Sequence, residues 1–536
     1  MSDPNRKSII RVFSAAAGVM LLAIALFYSG WMMSHVMGRV FHQGYLGCNG
    51  ARYSIMARNV LRADLAAVNY APLLNAALDT DPDPYLHHPP LLHWVIALSF
   101  YCFGETEDHA RYIPYAFTLL NLILLFFLGR RITGSTLSGG FCALMGGALP
   151  LTSFYGAHID VQGSPLVCCI LAGLFCYLRW VKSNRRRDLF LLLFFMGAGT
   201  LFDWPALYLC GLCPLHLWLE RRKTGLTALR AVRSLWPLIA TGAFLFAVLA
   251  LWLSTAAEPK GPSLYESVLH RSMRPSTFLD IGDPWMYVSD QFMRLMPQVH
   301  SLCPWPFWLV MLAGGLASVM RRARPGRASI SRVLWILFLM GFIHIVIFPF
   351  GSLFHDYWIF LLMPWMAIAS GVGLWRLLRL YDDRSRVLRA GSLLVVLVLT
   401  GSMVFAASHY AFERFAGEKD IEPYLLGKRI HEHVAPGEAV MINANFYNAP
   451  IPGEGDQYVL YKPALSYYAD RVIRGEIQTV ERFKEVLARR KDFAYFIFIT
   501  DYGKSHGELL DYLKQHYPME KQVKPGLLFF RLSTLQ

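Results

Sequence analysis

Long runs of apolar residues recur along this sequence, and they limit what the chain can fold into. Of its 536 residues, 55% are hydrophobic and 16% are charged, whereas soluble proteins usually carry about a quarter charged residues. Several runs reach the roughly 18 residues that a helix needs to cross a bilayer. The first, Val12 to Met32, is followed by no small-residue cleavage pattern, so we interpret it as an uncleaved helix. The sequence therefore predicts a polytopic α-helical membrane protein.

The positions of the basic residues predict the topology. The net charge is +14, but Lys and Arg stand in short clusters between apolar runs, as in cytoplasmic loops, which argues against nucleic-acid binding. All clusters fall on one side if residues 89–103 form a short interfacial helix that does not cross. About eleven spanning helices and a cytoplasmic N-terminus follow. The predicted helices are residues 12–33, 111–129, 137–156, 163–180, 189–202, 205–219, 235–255, 303–320, 333–352, 358–375 and 390–409.

The C-terminal part of the sequence has a different pattern. Residues 1–410 are predicted as the transmembrane module, and residues 411–536 as a water-soluble domain on the outer, periplasmic face. In the second part short helical and strand patterns alternate, which is typical of an α/β domain. The predicted elements are helices Pro423–His433, Val480–Arg490 and Gly507–His516, and strands Ala439–Asn443, Ala494–Thr500 and Gly526–Arg531.

The nine cysteines indicate neither a disulfide framework nor a metal site. Seven of them lie within apolar segments, where Cys usually acts as a small hydrophobic residue. Cys210 and Cys213 have close spacing, but they belong to an apolar helix and are interpreted as packing residues.

Polar and ionisable residues gather in the predicted outer loops, close to the ends of apolar helices. Such groups at a bilayer boundary are costly unless they are paired or functional. We therefore interpret them as one candidate site. It comprises Asn49, Arg52, Tyr53 and Arg58, then Tyr85, His87 and His88, then His158, Asp160 and Gln162, then Asp203, and finally His355, Asp356 and Tyr357.

The residue types in this set suit a phosphate and a sugar. Guanidinium and imidazolium groups match phosphate oxygens, so Arg52, Arg58 and His355 are candidate ligands of a phosphate or pyrophosphate. Asp160 or Asp356 would take a proton from a hydroxyl or hold a divalent ion. Aromatic side chains such as Tyr45, Tyr53, Tyr85, Trp94 and Tyr357 suit a sugar face or an isoprenoid chain. The residues leave two roles open for Asp203, a helix cap and a site residue.

Four segments together carry a resemblance to a known family. They are Asn49 to Asn59, His88 to Gly104 with Arg111, Tyr155 to Asp160, and His355 to Trp358 leading to Leu362-Met-Pro-Trp. Over roughly residues 10–380 the chain resembles the bacterial relatives of protein O-mannosyltransferases and of the lipid A aminoarabinose transferase. These are membrane glycosyltransferases with the GT-C fold.

The resemblance implies an inverting transfer of a sugar from a polyprenyl phosphate, such as undecaprenyl phosphate, to an acceptor hydroxyl. The acceptor is a lipid, a glycan or a protein, and the implied location is the bacterial inner membrane. Asp160 matches the second acidic position of the family. At the first position many relatives have Asp-Glu, whereas this chain has Asn49-Gly50, and an amide cannot act as a general base. His88 likewise stands where a Lys often precedes Pro-Pro.

These departures leave the identity of the general base open. Asp160 is the first candidate, and Asp356 or Asp203 is the next. Asn49 would then orient the donor or acceptor. The predicted catalytic residues are thus Asp160, Asn49 and Asp356. The predicted donor and phosphate ligands are Arg52, Arg58, His87, His88, His355 and Tyr357, and the predicted acceptor and sugar ligands are Tyr53, Tyr85, His158, Gln162 and Asp203.

No cofactor is certain from the sequence. A divalent metal held by His87, His88, His158 and Asp160 is an open alternative. Two other functions also stay open, namely a transporter or flippase and a non-catalytic binder of a lipid-linked sugar. The first is disfavoured because the sequence shows no internal repeat and its polar groups cluster at the outer boundary.

Overall fold

The structure is a computed structural model. It describes residues 4–42, 45–64, 66, 69–74, 84–86, 88–160, 163–222, 228–256, 301, 303–320, 330–348, 356–379, 386–417, 421–443, 447–450, 458–460, 462–474, 477–489, 493–500, 507–523 and 526–532.

Helices occupy each of the eleven segments that the sequence predicts as spanning. In the described residues, six helical segments are long and apolar enough to cross a membrane: Val12–Ser34, Glu107–Thr133, Ser164–Ser183, Leu235–Thr255, Trp358–Arg379 and Val387–Gly417. The helices up to residue 417 are α1 (Pro4–Ser34), α2 (Tyr45–Arg62), α3 (Leu91–Phe103), α4 (Glu107–Thr133), α5 (Thr136–Gly147), α6 (Pro150–Tyr155), α7 (Ser164–Ser183), α8 (Arg186–Phe202), α9 (Leu207–Arg222), α10 (Ala228–Ala256), α11 (Trp305–Met320), α12 (Ile330–Ile347), α13 (Met363–Arg379) and α14 (Arg386–Gly417).

One predicted helix is divided in the structure. The segment 137–156 forms α5 and the short α6, and the new helix begins at Pro150. Proline lacks a backbone N–H and is well accommodated in a first helical turn. Two further helices each follow directly on a 3₁₀ helix. Trp204–Ala206 precedes α9, and Asp356–Leu362 precedes α13.

Helix α5 is the buried centre of one helix group. All residues from Ser138 to Gly147 are buried, and α5 packs against α1 and α13. A Cβ atom at Gly140 would lie 2.4 Å from the carbonyl oxygen of Gly18 in α1, and one at Gly371 in α13 would lie 2.5 Å from Cα of Cys142. Glycine therefore permits the close backbone approach on both sides of α5, as small residues do between membrane helices.

The chain divides into two compact units. The first, here called the helical unit, comprises residues 1–37, 86–92 and 111–417. The second, the mixed unit, comprises residues 38–85, 93–110 and 418–536. The first predicted outer loop thus belongs largely to the same unit as the C-terminal region. The sequence-based boundary between residues 410 and 411 stays a prediction.

A five-stranded sheet is the centre of the C-terminal region, with the order β4-β1-β5-β7-β6. Strands β4, β1 and β5 are parallel, and β7 is antiparallel to both β5 and β6. Strands β2 and β3 form a separate antiparallel pair. The strands are β1 (Ala439–Ile442), β2 (Tyr447–Pro450), β3 (Tyr458–Leu460), β4 (Ile473–Arg474), β5 (Phe493–Ile499), β6 (Met519–Val523) and β7 (Leu527–Arg531), and the helices are α15 (Glu422–His433), α16 (Lys462–Ala469), α17 (Val480–Arg489) and α18 (Gly507–His516).

Helices cover both faces of this sheet. Strand β5 reads Phe-Ala-Tyr-Phe-Ile-Phe-Ile, and every residue of it is buried, which is typical of a strand with both faces covered. One face packs against Leu426 and Ile430 of α15 and against Leu465 of α16. The other packs against Phe483 of α17 and Leu509 of α18. The predicted fold class, a helical membrane protein with an α/β domain, is confirmed.

Candidate functional site

The predicted site residues are divided between the two units. The helical unit contains His88, His158, Asp160 and Asp203, while the mixed unit contains Asn49, Arg52, Tyr53, Arg58 and Tyr85.

Asp160 lies on the connection between α6 and α7. Its side chain is buried, with 6% of its surface exposed. The connection is held by helix α4, because the Thr118 hydroxyl donates to the carbonyl oxygen of Gly156 at 2.7 Å, and the Asn121 amide donates to the carbonyl oxygen of Ser164 at 2.9 Å. Two polar residues of a spanning helix thus anchor both ends of the segment that carries the carboxylate.

His158, two residues before Asp160, has a defined ring orientation. Its Nδ1 lies 2.7 Å from the carbonyl oxygen of Phe154, and its ring centroid lies 4.7 Å from that of Phe154. A carbonyl oxygen only accepts, so Nδ1 carries the proton and donates this bond. The His158 imidazole is therefore fixed by the last turn of α6.

His88 and Asp203 form a buried pair. Nδ1 of His88 lies 2.9 Å from Oδ1 of Asp203, and the two residues are 5% and 0% exposed. The same oxygen accepts the backbone N–H of Trp204 at 2.9 Å. Of the two roles left open for Asp203 by the sequence, the structure shows the cap, on the 3₁₀ turn Trp204–Ala206. The contact with His88 leaves the site role of Asp203 a prediction.

Further titratable side chains extend this pair. His344 of α12 and Tyr208 of α9 both interact electrostatically with Asp203. The Tyr208 hydroxyl lies 3.2 Å from Nδ1 of His344, and the ring centroids of His344 and Trp358 are 5.1 Å apart. Side chains from three separate chain segments, those of His88, Tyr208 and His344, therefore interact with the Asp203 carboxylate.

Asn49 lies in the first turns of α2 in the mixed unit, and it is buried. The following residue, Gly50, faces Phe41, because a Cβ atom at position 50 would lie 2.5 Å from the Phe41 ring. A glutamate at this position would displace that ring. The glycine at position 50 therefore agrees with the local packing. Arg52 lies one turn further along α2 and is partly exposed.

Arg58 is enclosed by protein groups. Its Nε donates to Glu105 at 2.6 Å, Nη1 to Asp470 at 2.9 Å, and Nη2 to the carbonyl oxygen of Tyr467 at 3.0 Å. The guanidinium also stacks at 4.6 Å over the Tyr467 ring. Burial disfavours the charged form, but Glu105 and Asp470 outweigh it and hold the pKa of Arg58 above its usual value. The described partners occupy all three nitrogens of the predicted phosphate ligand.

Tyr53 and Tyr85 are close to each other, as a common ligand role requires. Their ring centroids are 6.3 Å apart, and the ring of His93 lies 5.3 Å from Tyr53 and 6.0 Å from Tyr85. All three side chains are buried. The cluster lies between α2, the segment before His88 and α3.

Five predicted site residues give no side-chain geometry. His87, Gln162 and His355 lie outside the described residues. Asp356 and Tyr357 lie at the start of the 3₁₀ helix Asp356–Leu362, and only their backbone is described. Within the described part of the chain, no three His, Cys, Asp or Glu side chains come together as metal ligands. We therefore derive no step through a metal.

Sequence reasoning did not single out His93, Glu105, Asp470, Tyr208 or His344. Glu105 and Asp470 look like ordinary loop acids, and His344 and Tyr208 stand alone in apolar helices. An ionisable residue within an apolar helix is itself a signal of function, and it would have pointed to His344.

The comparisons with known proteins agree with this architecture. Residues 87–254 match the model of the family described as dolichyl-phosphate-mannose-protein mannosyltransferase. This stretch contains His88, Asp160 and Asp203. A search of curated protein sequences gave no significant match.

Two solved structures are similar over most of the chain. The first is ArnT from Cupriavidus metallidurans bound to undecaprenyl phosphate, with a TM-score of 0.63, 14% identity, and coverage of 96% of this chain and 98% of that one. The second is the oligosaccharyltransferase AglB from Archaeoglobus fulgidus in complex with an inhibitory peptide and a dolichol-phosphate. Its TM-score is 0.57 with 12% identity, and the match covers 90% of this chain and 69% of that one. The chain therefore has the fold of the GT-C membrane glycosyltransferases, and residues 87–254 are similar to the dolichyl-phosphate-mannose-protein mannosyltransferases.

Proposed function

We propose that this protein is an inverting glycosyltransferase. It moves a sugar from a polyprenyl phosphate, of which undecaprenyl phosphate is the first candidate, to an acceptor hydroxyl. The acceptor is a lipid, a glycan or a protein. The reaction takes place at the periplasmic face of a bacterial inner membrane. The N-terminus is cytoplasmic and the C-terminal domain periplasmic in this proposal.

The observation that carries the proposal is the buried carboxylate of Asp160, on a connection that α4 holds at both ends. A general base must have a fixed position relative to the proton it takes. The similar structures that contain undecaprenyl phosphate and dolichol-phosphate support a lipid-phosphate donor.

The proposed reaction is a single displacement at the anomeric carbon. The acceptor oxygen forms a bond to that carbon, the bond to the phosphate oxygen breaks, and the electron pair leaves with the polyprenyl phosphate. Asp160 takes the acceptor proton. Inversion follows because the nucleophile enters opposite the leaving group.

The other predicted residues have supporting roles in this proposal. Arg52 and His88 contact the phosphate of the donor, together with His87, His355 and Tyr357, while Arg58 contributes through the position of α2. Asn49 orients a reactant, because its amide donates and accepts hydrogen bonds but cannot serve as the base. Tyr53, Tyr85, His158 and Gln162 contact the sugar or acceptor, and Asp356 is the alternative base.

A transfer assay with the full chain in detergent tests the proposal. Undecaprenyl phosphates carrying different hexoses or aminoarabinose serve as donors, a bacterial envelope extract supplies acceptors, and released undecaprenyl phosphate is measured with and without EDTA. Asp160→Asn should lower the rate by about 10²–10⁴-fold, the usual contribution of a general base. The control is Asp188→Asn, since Asp188 is also a buried carboxylate and binds Arg179 at 3.1 Å.

Two results would contradict the proposal. If the wild-type protein binds these donors but releases no undecaprenyl phosphate, it is a transporter or a non-catalytic binder. If Asp160→Asn and Asp188→Asn lower the rate equally, Asp160 is not the base. EDTA sensitivity would identify a metal requirement.

A further inference from the structure

Two polar side chains lie on one face of the spanning helix α4. Thr118 and Asn121 are three positions apart, which makes them neighbours on the helix surface. Both side chains are buried, and the residues that follow as far as Phe127 are otherwise apolar. A polar residue inside a membrane-spanning helix is costly and is typically retained for a function.

The Thr118 hydroxyl closes the base of the connection that carries Asp160. It donates to the carbonyl oxygen of Gly156 at 2.7 Å, because a carbonyl oxygen can only accept. Its single proton is then used, so the Ser164 hydroxyl donates to the Thr118 oxygen in the contact between them. Gly156 follows α6 and Ser164 begins α7. One hydroxyl of α4 thus joins the two ends of the connection through two consecutive hydrogen bonds.

Asn121 adds a separate bond to the same connection. Its Nδ2 donates to the carbonyl oxygen of Ser164 at 2.9 Å, while its Oδ1 has no hydrogen-bond partner among the described residues. A buried amide oxygen without a partner destabilises a fold. Hydrogen bonds between membrane helices contribute little stability on average. Stability alone therefore does not account for this side chain.

Asp160 lies midway along the chain between the two ends that α4 holds. Four positions separate it from Gly156 and four from Ser164. The connection also bonds to itself, since the N–H of Gly163 donates to the carbonyl oxygen of Asp160 at 3.3 Å. Because the connection is short and both of its ends are fixed, a shift of either end moves the carboxylate.

We propose that Thr118 and Asn121, here called the α4 anchor, are positioning residues that set where the Asp160 carboxylate lies relative to the reactants. They touch neither the donor nor the acceptor. This inference rests on the proposed function. It concerns the place of the carboxylate and not its protonation, so it holds equally if Asp160 takes a proton or binds a divalent ion.

Transfer kinetics of the full chain in detergent test the inference, with a sugar-carrying undecaprenyl phosphate as the varied substrate. Asn121→Leu and Thr118→Val remove the polar groups but keep the side-chain volumes, and both new residues suit a spanning helix. A displacement of about 1 Å costs about 10²-fold in rate. Each variant should therefore lower kcat by roughly ten- to hundredfold and leave the donor KM nearly unchanged. Thr118→Ser keeps the hydroxyl and should retain a kcat close to that of wild type.

Thr133→Val is the matched control. The Thr133 hydroxyl is at the other end of α4 and donates to the carbonyl oxygen of Gly129 at 2.7 Å, so its loss should leave kcat unchanged. A double variant then shows whether Asn121 acts through the carboxylate. In an Asp160→Asn background, Asn121→Leu should lower the residual rate far less than in wild type, because groups that act as a unit are not additive. Equal fold decreases in the two backgrounds would overturn the inference.

Hydrogen exchange of backbone amides separates a failure of this inference from a failure of the proposed function. Peptides that contain Asp160 should exchange faster in Asn121→Leu and Thr118→Val than in wild type or Thr133→Val. If wild type turns over no donor, the proposed function is wrong, and faster exchange in these two variants still supports the anchor. Unchanged exchange in both variants would overturn it. With an active wild type, faster exchange without any loss of kcat would also overturn it.

Discussion

Each unit contains a buried charge of a different kind. In the mixed unit, the Arg58 guanidinium donates to Glu105, Asp470 and the Tyr467 carbonyl oxygen, so described partners occupy all its nitrogens. In the helical unit, Asp203 uses one oxygen for His88 and Trp204, while its second oxygen has no hydrogen-bond partner in the described part of the chain. The hydrogen-bonding groups of Arg58 are thus fully satisfied by described residues, whereas those of Asp203 are only partly satisfied by them.

The difference suggests what each arrangement does. A fully satisfied buried network rigidifies the structure around it. An incompletely satisfied one costs stability and is typically retained at functional sites. We therefore expect changes at Arg58 to appear mainly in unfolding, and changes at His88 and Asp203 mainly in ligand binding.

The largest expected effect is on stability, from Arg58→Met. The change leaves Glu105 and Asp470 without their shared cation, and breaking a buried ion pair costs about 3 kcal/mol in the free energy of unfolding. Denaturant unfolding of the full chain in detergent measures it. If Arg58→Met unfolds like wild type but loses undecaprenyl phosphate binding, Arg58 is a phosphate ligand and the comparison fails.

The second effect is on binding, from His88→Gln. Glutamine keeps a donor for Asp203 but removes the positive charge, so affinity for undecaprenyl phosphate should fall about tenfold, the usual worth of a hydrogen bond to a charged group. Titration near neutral pH measures this affinity, with denaturant unfolding run in parallel. A loss of stability as large as that of Arg58→Met, without weaker binding, would place His88 in a purely structural role.

A smaller effect is expected in the acid range, from Asp470→Asn. Burial raises the pKa of Asp470, but Arg58 and Arg62 outweigh it and hold the pKa below its ordinary value. The carboxylate therefore stabilises the fold above the unfolded pKa of about 3.9, and this contribution is lost as pH falls through the lower folded pKa. Wild type should be more stable than Asp470→Asn above about pH 4, and the difference should shrink in stronger acid. A difference independent of pH would contradict this.

The smallest effect belongs to Arg62→Met. Arg62 also binds Asp470, at 2.9 Å, but its side chain is 43% exposed. Exposed ion pairs contribute about 1 kcal/mol or less. The change in unfolding free energy should therefore be a small fraction of that for Arg58→Met. Equal effects of the two variants would show that burial does not distinguish them.

Much of the fold was predictable because it depends on local pattern. The apolar runs predicted helices in every spanning segment, and the alternation near the C-terminus predicted β1, β5 and β7 with the helices beside them. The pattern missed β6, whose residues are mostly exposed, and the two-residue β4. It also missed the short strands β2 and β3 and the helix α16. It also missed the break at Pro150, since the apolar run continues through it.

The sequence predicted candidate site residues by their type and not by their partners. The sequence singled out Arg58, His88 and Asp203. It predicted Arg58 as a phosphate ligand, and Asp203 as a ligand of the sugar or acceptor or as a helix cap. The role of each predicted site residue stays a prediction. The contacts nevertheless changed the role that we propose for Arg58, because Arg58 has several protein partners.

Sequence alone determined that this chain enters a membrane and ends in an α/β domain, because hydropathy and periodicity are properties of neighbouring residues. Only the tertiary structure decided which distant side chains form pairs. Arg58 and Asp470 are 412 positions apart, and His88 and Asp203 are 115 apart. Which distant side chains meet depends on how helices pack, for instance where Gly18 and Gly140 let two backbones approach. The packing of helices depends on the shapes of their surfaces, and the periodicity of apolar residues does not specify it.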